Sequence, residues 1–390
     1  MEKRPRVSRN AIVLAFVAFA SGFGQDMIAP ILPGFLTLLA LTRADIGLID
    51  GLLQGTWNIC RFLSGWLSDR FHKRKEFVFL GYALSSVARP LLFFASGFLP
   101  IAALRVIDGA GKGIKDAPRD ALVAEEATAK TSGRTFGFQR MIDTAGSVFG
   151  PLTAFGILLW LGTTLATYRT IFALAVVPGA LALGLIWFGV REKSTQEAKR
   201  KTQNQKLPMR FWLFTLAMSI ALLTKINDSL FLVRAADVGI PGAWIPLLFG
   251  SFTLIYALAS YPIGIWSDRF GKLPFLAAGW IVLSLTEFGF SIDPGLPFAL
   301  ALFACYGLFF ALTEGSGRAF IADTVAKGEH GRAYGIFYTA TGIALILGGY
   351  MLGSIWDRDT PELAFRLAAI GSLIGGLILF ALLKKKRPAS

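Results

Sequence analysis

Cysteine and histidine are scarce in this chain of 390 residues, which has only two of each. Cys60 and Cys305 lie in separate apolar runs, so the sequence offers neither a disulfide framework nor the paired spacing of a zinc site. His72 and His330 fall in predicted loops. Catalysis by histidine and a metal centre built from histidine are both disfavoured. We therefore expect no metal, no cofactor and no enzymatic activity.

Charge is scarce as well, since 16% of the residues are charged and 54% are hydrophobic. A soluble domain carries roughly 25% charged residues. Apolar runs of about 20 residues, the length that crosses the hydrocarbon core of a bilayer, recur along the chain. This composition excludes a cytosolic enzyme, a secreted disulfide scaffold and a disordered tail. It predicts an all-α polytopic membrane protein.

Charged residues, glycine and proline bound twelve apolar runs, which we predict to be transmembrane helices. The predicted spans are 10–38, 44–66, 75–96, 99–122, 134–160, 166–190, 209–232, 243–266, 273–292, 297–320, 332–354 and 364–383. The first run continues through Asp26 and Pro30 without a small-x-small cleavage site, which indicates a span rather than a signal peptide. A polar stretch divides the spans into six and six. It predicts an N-terminal bundle at 1–190, a basic cytoplasmic linker at 191–208 and a C-terminal bundle at 209–390.

The basic residues follow the apolar runs, although the formal net charge of +14 would also suit a nucleic-acid-binding protein. Clusters of Lys and Arg at 3–9, 70–75, 199–201 and 384–387 each border a predicted span. This is the pattern of cytoplasmic loops beside anionic lipid, so we expect a lipid bilayer and no nucleic acid as partner. The loops on the other side contain only Arg43, Arg169, Arg358 and Arg366. The bias predicts a cytoplasmic (inner) membrane protein with both termini in the cytoplasm.

The two halves of the chain resemble each other in three places that keep nearly the same separation. Residues 65–71 (GWLSDRF) correspond to 264–270 (GIWSDRF), 121–125 to 319–323, and 133–137 to 331–335. Three matches in one register indicate a duplication of six spans. Repeats of this kind form two bundles with a binding site where they meet, near the membrane midplane.

The loop after span 2 resembles the G-x-L-x-D-R-x-G-R/K-R/K signature of the major facilitator superfamily, through Gly65, Asp69, Arg70 and Arg74. His72 stands where that signature has glycine. The second half repeats the motif with Gly264, Asp268 and Arg269. The resemblance covers essentially the whole chain and implies the major facilitator fold of twelve transmembrane helices in two six-helix bundles. An ordinary positive-inside loop explains the Lys and Arg but not the aspartate.

The same resemblance implies that this loop is a cytoplasmic gate. Asp69 would accept hydrogen bonds from the free N–H groups where span 11 begins, near residues 332–333. Arg70 would reach Glu125 or Glu126 at the end of span 4. These contacts would hold the cytoplasmic ends of the bundles together and break as the carrier opens inward.

Span 4 is unusually rich in charge for a transmembrane helix. The family's R-x-x-x-G pattern is present as Arg105 and Gly109. Further charges follow at three- or four-residue spacing, which places most of them on one helix face, and span 5 adds a pair three residues apart. The charged residues of the two spans are Arg105, Asp108, Lys112, Lys115, Asp116, Arg119, Arg140 and Asp143.

Each charge in mid-membrane costs about 2.5–3.5 kcal/mol on insertion scales, so these residues must pair with one another or face water. Lys112 and Asp116 form a candidate pair at i, i+4. Two interpretations stay open for the whole stripe. It either sets helix register through a salt-bridge network or lines a water-filled cavity that binds protons or substrate.

Charges elsewhere in the spans are fewer. Asp26 in span 1 precedes Pro30 and Pro33, which should kink or end the helix. Asp228 follows Asn227 in an otherwise apolar run of span 7, and Glu314 lies in span 10. We rank Asp228 above Asp50 and Glu287, which lie nearer span ends or are harder to place. An intramembrane carboxyl favours its neutral form and can therefore carry a proton.

Span 5 contains Gly146, Gly150 and Pro151, which resemble the G-x-x-x-G-P core of the antiporter signature in the drug–proton exporter branch. That signature continues with a glycine pair, but Ala154 and Phe155 occupy those places here. Small residues four apart are also a common helix-packing motif, so plain packing remains an alternative.

These observations predict a secondary active transporter that works by alternating access. We expect proton-coupled efflux of a small organic molecule by a monomer. The alternative is uptake or exchange of an anionic metabolite, because Lys112, Lys115 and Arg119 could hold a carboxylate or phosphate. An ATP-driven pump is disfavoured because the sequence has no Walker loop.

Overall fold

The computed structural model describes residues 8–71, 73–126, 132–190, 206–292, 294–326 and 329–384. Over these residues the chain is almost entirely α-helical and contains no β-strand. The helices are α1 Arg9–Ile28, α2 Leu32–Leu38, α3 Arg43–Phe71, α4 Arg74–Leu91, α5 Phe98–Glu126, α6 Ser132–Leu161, α7 Leu165–Leu174, α8 Val176–Gly189, α9 Met209–Thr224, α10 Asp228–Asp237, α11 Ile245–Phe270, α12 Lys272–Phe290, α13 Leu296–Thr324, α14 His330–Arg358 and α15 Pro361–Lys384.

These helices follow the twelve predicted spans, and the all-α membrane class is confirmed. Within the described ranges, nine helical segments are long and apolar enough to cross a membrane by length and composition. The other long helices are α3, α4 and α5, which contain more charged residues. Most helices also run a few residues past the predicted span ends, because the backbone hydrogen bonds continue into the polar flanks. One example is α13, which ends at Thr324 rather than at 320.

Three predicted spans are each divided into two helices. Span 1 is interrupted after Ile28, next to Pro30, as the sequence predicts. The interruption at Ala175 in span 6 was not predicted, nor was the break at residues 225–227 in span 7. In span 7 the Asn227 side chain accepts a hydrogen bond from the N–H of Leu230 and so starts α10 as its N-cap. Asparagine favours this position because its side chain replaces the missing intrahelical partner.

The chain forms two compact units, one of residues 1–35 and 56–198 and the other of residues 36–55 and 199–390. The first half of α3 therefore belongs to the second unit and its second half to the first unit. Most of the predicted linker, residues 191–205, lies outside the described residues. The predicted boundaries of the two bundles stay a prediction.

In the first unit, helices approach closely where glycine replaces a larger side chain. A Cβ atom on Gly111 of α5 would lie 2.6 Å from the carbonyl oxygen of Gly81 on α4 and 2.6 Å from Ser85 Oγ. Two residues later, on the opposite side of α5, a Cβ atom on Gly113 would lie 2.6 Å from the carbonyl oxygen of Trp57 on α3. The two glycines therefore let α5 pack directly against both α4 and α3. This packing is what brings the charges of these helices together.

In the second unit, the first half of α3 packs against α14 through a stripe of glycines. Cβ atoms on Gly47 and Gly51 would overlap the α14 backbone at Gly349 and Leu345. The N-terminus of α3 is capped from the same helix, because the Asp357 carboxylate accepts the N–H of Arg43 at 2.9 Å and the N–H of Ala44 at 2.8 Å. A carboxylate at this position also interacts favourably with the helix dipole.

The close approach at Gly111 gives a stability prediction. Gly111→Ala forces α4 and α5 apart, and overpacking of this kind costs roughly 1–3 kcal/mol. We expect a lower thermal unfolding temperature and a lower folded yield in detergent. Gly184→Ala on α8 is the matched control, because its Cβ would meet nothing within 4 Å. If both variants unfold at the same temperature, the contact between α4 and α5 is less tight than described.

Candidate functional site

Asp108 on α5 is the most buried charge of the predicted stripe, at 1% exposure. Arg89 of α4 and Arg105 of α5 bind its two carboxylate oxygens, with N···O distances of 3.1 and 3.3 Å. The Arg89 guanidinium also donates to the Ser21 carbonyl of α1 at 3.1 Å and to Gln25 at 3.4 Å. One arginine thus joins α1, α4 and α5 through a buried carboxylate.

Asp116, two turns further along α5, has a second set of partners. It pairs with Lys115 at 3.2 Å and with Arg119 at 3.7 Å, and the indole N–H of Trp57 donates to it at 2.8 Å. The ammonium of Lys115 also lies over the ring of Tyr82, 4.7 Å from its centroid. Lys115 and Asp116 therefore both have their partners within the first unit.

Lys112 is not the partner of Asp116 that its i, i+4 spacing suggests, because adjacent and i+3 cations reach Asp116 first. Its ammonium lies 5.3 Å from the centroid of the Trp57 ring, and its charge acts on Asp26 and Asp108. Lys112 is 5% exposed and forms no ion pair with any described residue. It is a buried cation whose nearest carboxylates lie beyond salt-bridge distance.

Asp26 on α1 is the carboxyl that faces Lys112. It is 6% exposed and accepts a hydrogen bond from the Gln25 amide at 3.0 Å, with Ser147 of α6 as a second partner. Among the residues that the structure describes, it has no ion pair. The other charge that acts on it is Asp143 of α6. Asp26 therefore differs from Asp108 and Asp116, each of which contacts two cations.

Arg140 and Asp143 form a looser pair on α6, 3.9 Å apart, with side chains that are 54% and 30% exposed. Gly146 and Gly150 follow on the same helix, and both contact α1. A Cβ atom on Gly146 would overlap the backbone of Phe19, and one on Gly150 would lie 3.1 Å from the backbone of Asp26. Gly146 and Gly150 thus pack α1 against α6 next to Asp26, and Pro151 continues the same helix.

The second unit holds a smaller cluster at the break between α9 and α10. Lys225 pairs with Asp228 at 3.2 Å and donates to the Tyr306 hydroxyl at 2.9 Å, and Tyr306 also donates to Asp228. The Lys225 ammonium lies over the rings of Tyr306, Phe309 and Phe310. Asp228 is 30% exposed, so this ion pair has one accessible member.

Glu314 on α13, another predicted site residue, pairs with Arg318 at 2.9 Å and accepts a hydrogen bond from Tyr256 of α11. Both members of the ion pair are 41% exposed. Glu314 therefore lies on a different turn of α13 from Tyr306, which contacts Lys225.

The predicted gate motif is only partly described. His72 lies outside the described residues, as do the side chains of Asp69, Arg70, Glu125 and Glu126. The cytoplasmic gate therefore stays a prediction. Gly65 of the motif faces Ala117 of α5, and Arg74 begins α4.

The second copy of the motif ends α11. Asp268 pairs with Lys272, and the Arg269 guanidinium lies 5.3 Å from the Phe270 ring centroid. Gly271 adopts φ +96°, a conformation that favours glycine, and ends the helix. A Cβ atom on Gly264 would meet nothing within 4 Å.

Several residues of these clusters were missed as site residues. Arg89 stands before Pro90 in the sequence, where its role as a partner of Asp108 has no local signal. Trp57 and Tyr306 are two of many aromatic residues. The pair Asn227–Asp228 did carry a signal, since asparagine followed by an acidic residue is typical of a helix N-terminus.

Long apolar helices with buried ion pairs define a polytopic membrane protein of the transporter class. The chain belongs to the major facilitator superfamily, whose profile matches residues 14–233 and 209–390. It is therefore a membrane transporter and not an enzyme. It is 32% identical to an uncharacterized MFS-type transporter of Methanocaldococcus jannaschii, over 97% of this chain and 96% of that one. It is 24% identical to the quinolone resistance protein NorA of Staphylococcus aureus, over 98% of each.

Solved structures share the fold at low sequence identity. The nucleoside transporter NupG superposes with a TM-score of 0.74 at 14% identity, over 96% of this chain and 99% of that one. A D-xylose–proton symporter superposes with a TM-score of 0.71 at 17% identity, over 95% and 97%. These similarities confirm the fold.

The Asp108 cluster gives a second stability prediction. Asp108→Asn leaves two buried guanidinium groups without their shared counter-charge, and breaking a buried pair costs about 3–5 kcal/mol. We expect a sharp loss of folded protein, part of which returns when Arg105→Met is added. Asp120→Asn is the control, because Asp120 is 46% exposed in its pair with Arg119 and such pairs contribute about 0–1 kcal/mol. Equal folded yields for Asp108→Asn and the control would show that Asp108 does not hold the three helices together.

Proposed function

We propose that this transporter couples the export of a small organic solute to the inward flow of protons. The observation that carries the proposal is Asp26. It is a buried carboxyl inside a membrane-spanning helix, with two hydrogen-bond partners and no ion pair among the described residues. Carboxyls in such positions are rare and mark proton pathways, because burial disfavours their charged form.

Asp26 and Lys112 give a physical route for coupling. When Asp26 is ionised, its charge and that of Lys112 attract each other. When a proton binds Asp26, this attraction ends, and Asp108 is the carboxylate that still acts on Lys112. The protonation state of Asp26 thereby changes the electrostatic field that a charged solute meets beside α1 and α5.

Two further observations support export. Gly146, Gly150 and Pro151 resemble the antiporter signature, and the two glycines lie against the helix that carries Asp26. The relative NorA is named for quinolone resistance. We propose that the chain likewise moves an organic solute outward.

A second candidate is proton-coupled uptake or exchange of an anionic metabolite. Lys112 supports it, because a buried cation without an ion pair among the described residues could bind a carboxylate or phosphate. The fold also occurs in a proton symporter.

We place the transporter in the cytoplasmic membrane with both termini in the cytoplasm, as a monomer. The support for this orientation is the excess of Lys and Arg on one side of the predicted spans.

Reconstitution into liposomes with an imposed pH gradient tests the direction of coupling. Ethidium, norfloxacin and benzoate serve as cationic, zwitterionic and anionic probes. An antiporter accumulates solute when the lumen is acidic, because protons leave in exchange. Accumulation that requires an acidic exterior would favour uptake instead. Equal transport with and without a pH gradient would contradict the proposed proton coupling.

Asp26→Asn tests the residue itself. Asparagine keeps the hydrogen bonds and cannot take up a proton, so we expect gradient-driven accumulation to fall to the level seen without a gradient. Exchange of labelled for unlabelled solute, which needs no net proton movement, should persist. Asp120→Asn should behave like the parent in both assays. Gradient-driven transport by Asp26→Asn at the parental rate would contradict the assignment.

A further inference from the structure

The break between α9 and α10 leaves backbone groups without helical partners inside a predicted span. In a membrane such groups must be satisfied by the protein, since no water is available in the hydrocarbon core. Asn227 caps α10 and also donates from its side chain to the Gly47 carbonyl at 2.9 Å. The N–H of Ile226 is bound by a carboxyl from another helix, Glu287 of α12, at 3.0 Å.

Glu287 is fully buried, at 0% exposure. Its Oε1 atom accepts the Ile226 N–H, and no described backbone N–H group or cation binds its Oε2 atom. The Ser372 hydroxyl of α15 lies beside the same carboxyl and is its side-chain hydrogen-bond partner. Where α12, α15 and the break meet, the carboxyl therefore contacts one backbone N–H group and one hydroxyl, and it forms no ion pair with a described residue. A proton on Oε2 would let the carboxyl donate to the Ser372 hydroxyl.

Among the described residues, no cation forms an ion pair with Glu287. Among the described residues, the titratable groups that act on it are Lys225 in the break and Tyr306 on α13. Lys225 already pairs with Asp228, which is the more exposed carboxyl. Asp50 of α3, also buried, lies within range of Tyr306 and accepts the Ser229 N–H at 3.5 Å. If Glu287 and Asp228 were both ionised, two carboxylates would share the Lys225 ammonium.

A buried carboxyl without an ion pair usually binds a proton and becomes neutral. We propose that Glu287 is a second proton-binding carboxyl of the transport cycle, which holds its proton on Oε2 while Oε1 fixes the break between α9 and α10. The part of this inference that concerns transport rests on the proposed proton coupling. The part that concerns the bound proton rests on the local geometry alone.

Two substitutions distinguish proton binding by Glu287 from its structural role at the break between α9 and α10. Glu287→Gln keeps an oxygen that accepts the Ile226 N–H and an amide that donates to Ser372, so it imitates the protonated carboxyl. Glu287→Leu removes both. We expect the glutamine variant to fold like the parent and the leucine variant to unfold at a lower temperature. Asp357→Asn is the control, because it replaces a carboxylate that also accepts backbone N–H groups but lies at the start of α3, away from the break.

Infrared spectroscopy of the purified protein in lipid, at neutral pH, measures the proton directly. The parent should show the carbonyl stretch of a protonated carboxyl. The band should lose intensity in Glu287→Gln, where only protonated carboxyls such as Asp26 remain, and keep its full intensity in Asp357→Asn. The parent should also lose thermal stability relative to Glu287→Gln as the pH rises, because a folded state that holds an extra proton is destabilised when the proton leaves. An unchanged band in Glu287→Gln would overturn the proposal.

Transport assays test the role of this proton in coupling. With the same three probes, Glu287→Gln should exchange solute like the parent and lose gradient-driven accumulation. Full gradient-driven accumulation by this variant would overturn the role of Glu287 in the cycle and leave Asp26 as the proton site. A parent protein without any gradient dependence would overturn the proposed function, while the infrared band would still decide whether Glu287 holds a proton.

Discussion

Arg89 carries the interaction on which the first unit depends. Its guanidinium is 4% exposed and binds the Asp108 carboxylate of α5 together with the backbone of α1. A buried guanidinium must have its donors satisfied, and this requirement fixes how α1, α4 and α5 approach one another. The close contact of Gly81 with Gly111 is needed for the same reason, because the ion pair can form only if the backbones of α4 and α5 come close. Lys112 and Asp26 then face each other within the arrangement that Arg89 maintains.

The two units handle buried charge differently. In the first unit, Asp108 and Asp116 of α5 each contact two cations. In the second unit, carboxyl groups outnumber ammonium groups around the break in span 7, and backbone N–H groups supply part of what cations supply elsewhere. Aromatic rings also surround Lys225, which excludes water and raises the importance of each remaining polar contact. The two proposed proton sites are Asp26 in the first unit and Glu287 in the second.

The sequence was sufficient for the number of spans and their approximate ends, because apolar length is a property of each segment alone. It also identified the charged face of α5, since helical spacing determines which side chains share a face. The partners of those charges depend on which helices pack together. Arg89 is close to Asp108 only because Gly81 meets Gly111, and nothing in the spacing of Lys112 and Asp116 reveals that Lys115 and Arg119 lie closer. The break at residues 225–227 was missed because the apolar length of the run suits an uninterrupted span, although Asn227–Asp228 carries a local signal for a helix start. The additional contact of Asn227 with Gly47 is tertiary and has no such signal.

The cap at the start of α3 has a consequence for how this region tolerates substitution. The Asp357 carboxylate binds the backbone N–H groups of residues 43 and 44 and not their side chains. Every amino acid except proline provides that N–H group. The cap therefore does not depend on which side chain stands at position 44. It requires the carboxylate at position 357 and excludes proline at positions 43 and 44. Position 43 is constrained separately, through the ion pair of Arg43 with Asp237 and its contact with the ring of Trp356.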